Sequence, residues 1–282
     1  MKNNLISKHA KSFNWAGFFL SNKTYNKCSI LYDFCRTIDD IADEETDLEI
    51  RKKKFIEFKS SFKEKNYENI IIKNIWLLVE KEKISEKIIY DLFDGTESDL
   101  KHKVIMNNKK ELFIYSYRVA GTVGLMMSKI LKVIDKQSLK GAIELGIAMQ
   151  LTNIARDVVE DKRKNRKYIN HDFVSIQEII EIADTFYESS FSSIKSIPLR
   201  FRFSIIVARR IYRKIGYNIL KQKNIEKYNN AGKIYVSNLS KILETFLSLL
   251  DLIKLFFVSS KKPTRTQKHL FICEEINLDE RI

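Results

Sequence analysis

Acidic residues with helical spacing are concentrated in one short stretch near the start of this chain. The segment YDFCRTIDDIADEE, residues 32–45, carries Asp39 and Asp43 four residues apart. Because a helix turns once in 3.6 residues, Tyr32 and Arg36 lie on the same stripe as these two aspartates. The opposite stripe is apolar, so the pattern taken alone is typical of an ordinary amphipathic helix with a polar side that faces solvent.

A second stretch repeats this arrangement. In GIAMQLTNIARDVVED, residues 146–161, four polar side chains share one helical stripe that is backed by apolar residues: Gln150, Asn153, Asp157 and Asp161. An arginine, Arg156, again accompanies the aspartates. Two Asp-x-x-x-Asp stripes of the same design are difficult to attribute to chance, so we expect both helices to face one cavity.

Carboxylates that surround one cavity need compensating positive charge, because two of them repel each other by about 1 kcal/mol in water and by more at lower dielectric. Magnesium fits this need, since it prefers oxygen ligands and bridges one or two carboxylates to substrate phosphates. The four histidines lie far apart in sequence, so no zinc site is indicated. The pattern predicts a Mg²⁺-dependent diphosphate site with Arg36, Arg156 and the basic loop 162–170 as phosphate contacts.

The elements that must position these residues are helices. Only 8 glycines and 2 prolines occur in 282 residues, and 44% of the residues are hydrophobic, with repeated spacings of three and four. We therefore expect an all-α fold. The predicted helices cover about 22–44, 47–64, 67–80, 84–100, 108–131, 135–161, 175–194, 199–222 and 232–258. No flexible linker separates them, so we expect one domain, residues 1–262, followed by a polar tail, residues 263–282.

Two glycines, Gly121 and Gly124, interrupt one of these predicted helices. Each destabilises a helix interior by up to about 1 kcal/mol relative to alanine. Glycines at such positions indicate a kink, or a close approach by another backbone or by a ligand.

The chain is strongly basic, with a formal net charge of +14, which raises the alternative of a non-catalytic protein that binds RNA or an anionic membrane. Its lysines are spread along the chain and are not interleaved with aromatic residues, so we expect no nucleic-acid partner. Three cysteines do not suggest a disulfide framework. Together with a first segment that lacks the apolar core of a signal peptide, this favours a cytoplasmic protein.

The most hydrophobic segment, ILETFLSLLDLIKLFFV at 242–258, contains Glu244, Asp251 and Lys254 and falls short of a membrane span. It is compatible with a buried terminal helix, which is slightly favoured, or with a helix that lies in a bilayer interface. Peripheral contact with the inner face of a membrane therefore stays open as an alternative.

With both acidic stretches in view, the chain resembles the squalene/phytoene synthase family, and most closely the bacterial phytoene synthases. The resemblance runs from about His9 to Leu243. It rests on motifs in the family's order: HAKSF at 9–13, YDFCRTIDDIAD at 32–43, YSYRVAGTVGLMM at 115–127, QLTNIARDVVED at 150–161 with the following NRKY, IYRKIG at 211–216 and AGKIYVSNLSKI at 231–242.

The resemblance implies a single all-α isoprenoid-synthase domain around a central apolar channel. The metal ligands it implies, for Mg²⁺ with Mn²⁺ as an alternative, are Asp39, Asp43, Asn153, Asp157 and Asp161. The catalytic residues it implies are the four aspartates with Arg36, Arg156 and Tyr115. The substrate-binding residues it implies are Lys11, Tyr32, Val119, Val123, Gly124, Gln150, Asn153, Tyr168, Tyr212 and Lys233. In this picture the glycines make room for a prenyl tail, and Lys233 replaces a more usual arginine.

The activity implied is the head-to-head condensation of two geranylgeranyl diphosphates to phytoene, the first committed step of carotenoid biosynthesis. The reaction passes through a cyclopropyl (prephytoene) diphosphate and ends with loss of a proton, so no NADPH is expected. A squalene or dehydrosqualene synthase that acts on farnesyl diphosphate is the alternative, because substrate length depends on the depth of the pocket.

Overall fold

The computed structural model of the chain describes residues 11–44, 46–258, 271–272, 274 and 276–282, and of Lys11 the backbone alone. It is built almost entirely of helices, which confirms the all-α prediction. The α-helices are α1 (Lys11–Gly17), α2 (Asn22–Asp43), α3 (Leu48–Lys63), α4 (Ile70–Glu82), α5 (Glu86–Glu97), α6 (Lys109–Ser116), α7 (Thr122–Ile130), α8 (Lys136–Arg163), α9 (Phe173–Phe191), α10 (Leu199–Leu220), α11 (Ile225–Asn230) and α12 (Asn238–Phe257). A π-helical turn, Tyr117–Gly121, joins α6 to α7, and 3₁₀ turns cover Ser192–Ser196 and Leu278–Glu280.

The two acidic helices, α2 and α8, begin at side-chain caps. Ser21 Oγ accepts a hydrogen bond from the Thr24 amide at 3.4 Å, and Asp135 Oδ2 accepts one from the Ser138 amide at 2.8 Å. Such caps satisfy amides that have no partner within the helix and typically contribute about 1 kcal/mol. The caps explain why both helices begin within one residue of the start that the sequence predicts.

Three features depart from the sequence-based expectation. The helix expected over 108–131 is interrupted by the π turn, beside the glycines that suggested a kink. The helix expected from 232 begins only at Asn238, because Gly232 adopts a φ of +63° and the next residues are not helical. A short parallel pair, β1 (Val104–Ile105) with β2 (Arg166–Lys167), ties the loop after α5 to the loop after α8.

The acidic helices belong to two groups of helices that meet at α7. α2 packs on α3, α4, α5 and α7, whereas α8 packs on α7, α9, α10 and the π turn. Phe34 anchors the apolar side of α2, with its ring centroid 5.7 Å from that of Phe62 and 5.9 Å from that of Phe93. Because the apolar stripe of α2 faces this core, its acidic stripe is turned the other way.

The glycines of α7 and α8 allow these helices to cross closely. A Cβ on Gly124 would lie 2.3 Å from the Ala142 carbonyl oxygen, and a Cβ on Gly146 would lie 2.3 Å from that of Ala120. Both distances are far below van der Waals contact. Gly124 is therefore required by the close approach of the α8 backbone, which is a reason for this glycine in addition to the expected room for a prenyl tail.

Part of the predicted C-terminal tail packs against the helical domain. Ile272, Ile276 and Leu278 are buried in the core. Arg281 pairs with both carboxylate oxygens of the buried Asp91, at 2.9 and 3.0 Å. These described tail residues are thus part of the same packed unit, a contact that the sequence does not reveal.

The hydrophobic segment near the C-terminus forms α12, which lies on the surface of the helical domain. It rests on α10 through a buried side that includes Lys241, Glu244 and Ser248. The slight preference of the sequence for a buried apolar helix is therefore not realised. Within the described part of the chain, no helix has both the length and the hydropathy to cross a membrane.

Candidate active site

A cavity of about 570 Å³ lies between α2 and α8, and its wall is made of charged residues. The lining residues are Arg36, Asp40, Asp43, Glu44, Arg156, Asp157, Glu160, Asp161, Lys164, Arg166 and Lys233. Six of them are carboxylates and five are cations, so the two signs nearly balance. Both predicted acidic stripes contribute to this wall, as expected from their spacing.

On the α2 side, the predicted residues Arg36 and Asp43 both face the cavity and both have partners. Arg36 Nη2 lies 2.6 Å from Asp40 Oδ1. Asp43 accepts from Arg166 Nη1 at 2.6 Å and from Lys164 Nζ at 2.9 Å. Burial acts to raise the pKa of Asp43, but these two cations outweigh it, so the pKa lies below its ordinary value and the carboxylate stays ionised.

On the α8 side, Arg156 and Asp157 form a bidentate pair, from Nε to Oδ1 at 2.8 Å and from Nη2 to Oδ2 at 2.5 Å. Lys233 reaches the same place, 3.4 Å from Asp157 and 2.6 Å from Glu160. The structure thus brings this lysine into the cavity from the segment before α12. Its single ammonium supplies a point charge there, without the planar fork of a guanidinium.

The other two predicted aspartates, Asp39 and Asp161, make no hydrogen bond or ion pair with any side chain that the structure describes. Burial and the neighbouring Asp43 raise the pKa of Asp39 to about 7, against the opposing influence of Arg36. Burial and Asp157 likewise raise the pKa of Asp161 to about 7. The Asp39 side chain is exposed to solvent, and Asp39 is not among the residues that line the charged cavity, where α2 contributes Asp40 and Asp43 instead. Among the described residues, neither carboxylate forms an ion pair, although Arg36 acts on Asp39 and Arg166 on Asp161 to lower the pKa.

Asn153 adds a neutral oxygen on the same helical stripe of α8 as Asp157. Its Oδ1 atom is buried and has no hydrogen-bond partner among the described residues, whereas its Nδ2 donates to Gln150 Oε1 at 3.4 Å. Among those residues, no three Asp, Glu, His or Cys side chains converge on one point for a metal ion. The donor set still fits Mg²⁺, which is commonly held by one or two carboxylates together with waters and phosphate oxygens.

Two predicted tyrosines share a buried carboxylate that the sequence did not identify as part of the site. Tyr115 Oη donates to Asp99 Oδ2 at 2.7 Å and Tyr168 Oη donates to Oδ1 at 2.6 Å. The two rings stack with centroids 4.9 Å apart. Burial raises the pKa of Asp99, although Arg166 and both hydroxyls oppose it. The sequence does not predict a role for Asp99, because its local segment gives no indication that Tyr115 and Tyr168 contact it from distant parts of the chain.

Arg166 is the second residue that the sequence did not single out. It lies in β2, where Val104 donates to the Asn165 carbonyl and Met106 to that of Lys167, each at 3.0 Å. The only signal for it was its place in the basic loop and in the NRKY motif. Its side chain is 9% exposed, so this cation is held inside the protein among carboxylates.

The remaining predicted residues lie around this centre. Tyr212 packs against Phe13 with ring centroids 4.9 Å apart and the rings tilted by 39°. Burial raises the pKa of both Tyr212 and Tyr32 to about 12. These hydroxyls are therefore neutral donors. Val119 and Val123 are half-buried in the π turn and α7. Lys11 begins α1, but its side chain lies outside the described residues.

A second cavity of about 350 Å³ adjoins the charged one and shares Asp161 and Arg166 with it. Ile154, Val158 and Ile169 give it an apolar wall, and Tyr168 also lines it. Polar and charged residues, among them Lys103, Lys167 and His171, complete its lining. Of the residues expected to line a prenyl channel, Tyr168 is the one that this cavity contains.

Comparison with solved structures identifies the fold. A dehydrosqualene synthase superposes with a TM-score of 0.72 at 23% identity, over 89% of this chain and 94% of that one. A squalene synthase from Alicyclobacillus acidocaldarius superposes with a TM-score of 0.65 at 17% identity, over 77% of this chain and 91% of that one. At these identities the likeness establishes the all-α architecture.

Comparison of sequences identifies the family. The 15-cis-phytoene synthase of Enterobacter agglomerans is 27% identical over 244 residues, 75% of this chain and 82% of that protein. The 15-cis-phytoene synthase of a Paracoccus strain is 35% identical over 149 residues, 46% of this chain and 49% of that protein. The squalene/phytoene synthase family model matches residues 6–174. With the two acidic helices on opposite sides of one charged cavity, the chain belongs to the squalene/phytoene synthase family.

Proposed function

We propose that this protein is a phytoene synthase, which joins two geranylgeranyl diphosphates head to head in the first committed step of carotenoid biosynthesis. The observation that carries the proposal is the charged cavity, where Asp43 from the first acidic stripe and Asp157 and Asp161 from the second meet five cations. The choice of phytoene over other products is supported by similar proteins that carry this name and extend over most of the chain.

For the metal, we assign Asp39, Asp43, Asn153, Asp157 and Asp161 as ligands of Mg²⁺, or of Mn²⁺ in its place. This assignment is supported by the Asn153 oxygen and by the carboxylates of Asp39 and Asp161, which have no hydrogen-bond or ion-pair partner among the described side chains. Bound metal would act as a Lewis acid that stabilises the negative charge of a departing diphosphate.

For the diphosphate, we assign Arg36, Arg156, Lys233, Tyr32 and Tyr212, with Lys11 in support. Arg36 Nε is buried and has no hydrogen-bond partner among the described residues, so a donor is available for an anion. The guanidinium of Arg156 is already oriented by its bidentate contact with Asp157. Prepositioned cations of this kind stabilise charge as it develops and lower the barrier to ionisation.

The reaction then runs in two ionisations. Loss of diphosphate from the first substrate leaves an allylic cation, which the double bond of the second substrate captures. Loss of a proton closes the cyclopropane ring of prephytoene diphosphate. Loss of the second diphosphate, rearrangement and loss of a further proton give phytoene without a reductant.

We assign the channel around these cations to Tyr115, Val119, Val123, Gln150 and Tyr168. Tyr115 is held by Asp99, and burial raises the pKa of its hydroxyl well above the ordinary value. The neutral phenol can thus direct its oxygen lone pair at a carbocation. We place the reaction in the cytoplasm, which suits the free cysteines Cys28 and Cys35.

The alternative is a squalene or dehydrosqualene synthase, which the names of the structural neighbours favour. The test is a product assay of the purified protein with Mg²⁺, in which geranylgeranyl and farnesyl diphosphate are offered separately, with and without NADPH. A C40 hydrocarbon from the C20 substrate without NADPH is the expected result. A C30 product would move the protein to the alternative branch, and strict dependence on NADPH would refute the phytoene assignment.

A further inference from the structure

The amphipathic helix α12 is turned with its apolar side toward solvent. Of its 20 residues, those that are buried include Lys241, Glu244 and Ser248. The large apolar side chains of α12 that are exposed are Leu239, Ile242, Leu243, Phe246, Leu249, Leu250, Ile253, Phe256 and Phe257. Their exposed fractions run from 42% for Ile242 to 83% for Phe257. A helix on the surface of a globular protein normally has the reverse orientation.

This orientation is held by ion pairs and hydrogen bonds on the inner side of the helix. Arg210 of α10 lies 2.8 Å from Glu244 and 2.8 Å from Asp251. Trp15 of α1 donates to Thr245 Oγ1 at 3.0 Å. The polar side of α12 is thus fixed to two neighbouring helices, and these contacts hold the apolar side toward solvent.

The charges of α12 are sorted in the same way. Both of its acidic residues, Glu244 and Asp251, are turned inward and paired with arginine, whereas its exposed charged residue is Lys254. The protein as a whole has a formal net charge of +14. An apolar stripe on a basic protein, on a helix whose own acidic residues are turned inward, complements an anionic lipid surface. A lysine ammonium there reaches the headgroups while its stem stays in apolar surroundings.

A second copy of this chain is a weaker match for the same face. A 20-residue helix is about 30 Å long, so one side about 10 Å wide presents roughly 300 Å². The side chains make the surface uneven and can about double its accessible area. Even then the area is less than the roughly 800 Å² that each partner buries in a stable interface of standard size. An interfacial helix has no such threshold, since its binding grows with each apolar side chain that leaves water.

We propose that α12 is a membrane-docking helix, which lies in the interface of an anionic bilayer with its apolar side immersed. Immersion places the protein at the surface where long prenyl chains and the hydrocarbons made from them accumulate. The experiment is flotation of the full-length protein with vesicles of phosphatidylcholine alone, or of phosphatidylcholine with phosphatidylglycerol, at low and high salt. We expect binding that is strongest for the anionic vesicles at low salt.

The deciding variant combines Phe246→Ser, Leu250→Ser and Ile253→Ser, at positions that are 66%, 61% and 56% exposed. Because withdrawing one large apolar side chain from water strengthens binding about tenfold or more, we expect this variant to bind anionic vesicles at least about a hundredfold more weakly. Its melting temperature should match that of the natural protein, since these side chains contact mainly solvent.

A matched control combines Ile56→Ser, Leu77→Ser and Val174→Ser, which are 62%, 52% and 79% exposed on other helices. It should bind vesicles within about threefold of the natural protein. If both variants lose vesicle binding equally, or if neither loses it, the proposal is overturned. Failure of the natural protein to bind either vesicle would also overturn it, and a dimer that the α12 substitutions dissociate would assign the face to a second copy.

Discussion

Arg166 offers the sharpest test of the electrostatics at this site. Its guanidinium is 9% exposed, lies 2.6 Å from Asp43, and also donates to the Ala42 carbonyl at 3.4 Å. It is the main cation that opposes the raised pKa values of Asp99 and Asp161. The substitution Arg166→Gln would therefore remove the cation that acts on Asp99 and Asp161, and would leave Asp43 with the exposed Lys164.

The size of the effect follows from burial. Removing one partner of a buried ion pair typically destabilises a protein by about 3–5 kcal/mol. Asp43 is 34% exposed and keeps its contact with Lys164, so the loss expected here comes mainly from the buried Asp99 and is smaller than that range. Lys164 provides a matched control, since it contacts the same Asp43 carboxylate at 2.9 Å but is 36% exposed. An exposed pair contributes about 0.2–1 kcal/mol. In metal-free protein at pH 8 we expect Arg166→Gln to lower the free energy of unfolding at least about 2 kcal/mol more than Lys164→Gln does.

A second arm of the experiment varies pH. Loss of Arg166 raises the pKa of the nearby carboxyls further, so the folded variant takes up protons as the pH falls and regains stability. Since one pKa unit corresponds to about 1.4 kcal/mol, a group that becomes protonated between pH 8 and pH 5.5 can restore up to about 3 kcal/mol.

The assay is urea-induced unfolding, followed by circular dichroism in the presence of a chelator. The reasoning is refuted if Arg166→Gln and Lys164→Gln have similar effects at pH 8, or if the effect of Arg166→Gln is the same at pH 5.5. If Arg166→Gln does not fold at pH 8, Arg166→Lys can be measured instead. Lysine keeps the positive charge but not the planar guanidinium, so this variant should lower the free energy of unfolding by an intermediate amount.

Three further predictions concern other parts of the molecule. Asp99→Asn should lower kcat at least about tenfold with little change in KM or melting temperature, because the amide can still contact the tyrosine hydroxyls but supplies no charge; an unchanged kcat would contradict this. Gly124→Ala and Gly146→Ala should each destabilise the protein by about 1–3 kcal/mol, because both overpack the same helix crossing. The double variant should be destabilised by less than the sum of the two single effects, which thermal melts of all three variants would check. The raised pKa values of Asp39 and Asp161, each about 7, mean that metal-free protein loses stability as pH rises from about 4 through 7; Mg²⁺ should therefore raise the melting temperature more at pH 8 than at pH 5.5, and an equal rise at both would contradict it.

The parts of the site that the sequence predicts are those whose pattern is local. Asp39 and Asp43 share a helical stripe with Arg36, as Asp157 shares one with Asn153, and the period of 3.6 residues is enough to place each set on one side of its helix. The repetition of that pattern then indicates a common cavity, which the structure contains.

The parts that the sequence does not predict depend on contacts between distant segments. Asp99 is buried because Tyr115 and Tyr168 reach it from elements 16 and 69 residues away. The same reason applies to α12, whose amphipathic pattern is evident from the sequence although its orientation is not. Arg210, on another helix, attracts the acidic side and thereby turns the apolar side outward.

The most direct test of the whole account is the hydrocarbon that the purified protein makes from geranylgeranyl diphosphate, with Mg²⁺ present and after its removal by a chelator. Phytoene that forms with Mg²⁺, disappears with the chelator and is lost in the Asp39→Asn, Asp157→Asn double variant is the predicted result. Equal product with and without the chelator, or from the double variant, would contradict the central claim that these two acidic stripes form the catalytic metal and diphosphate site.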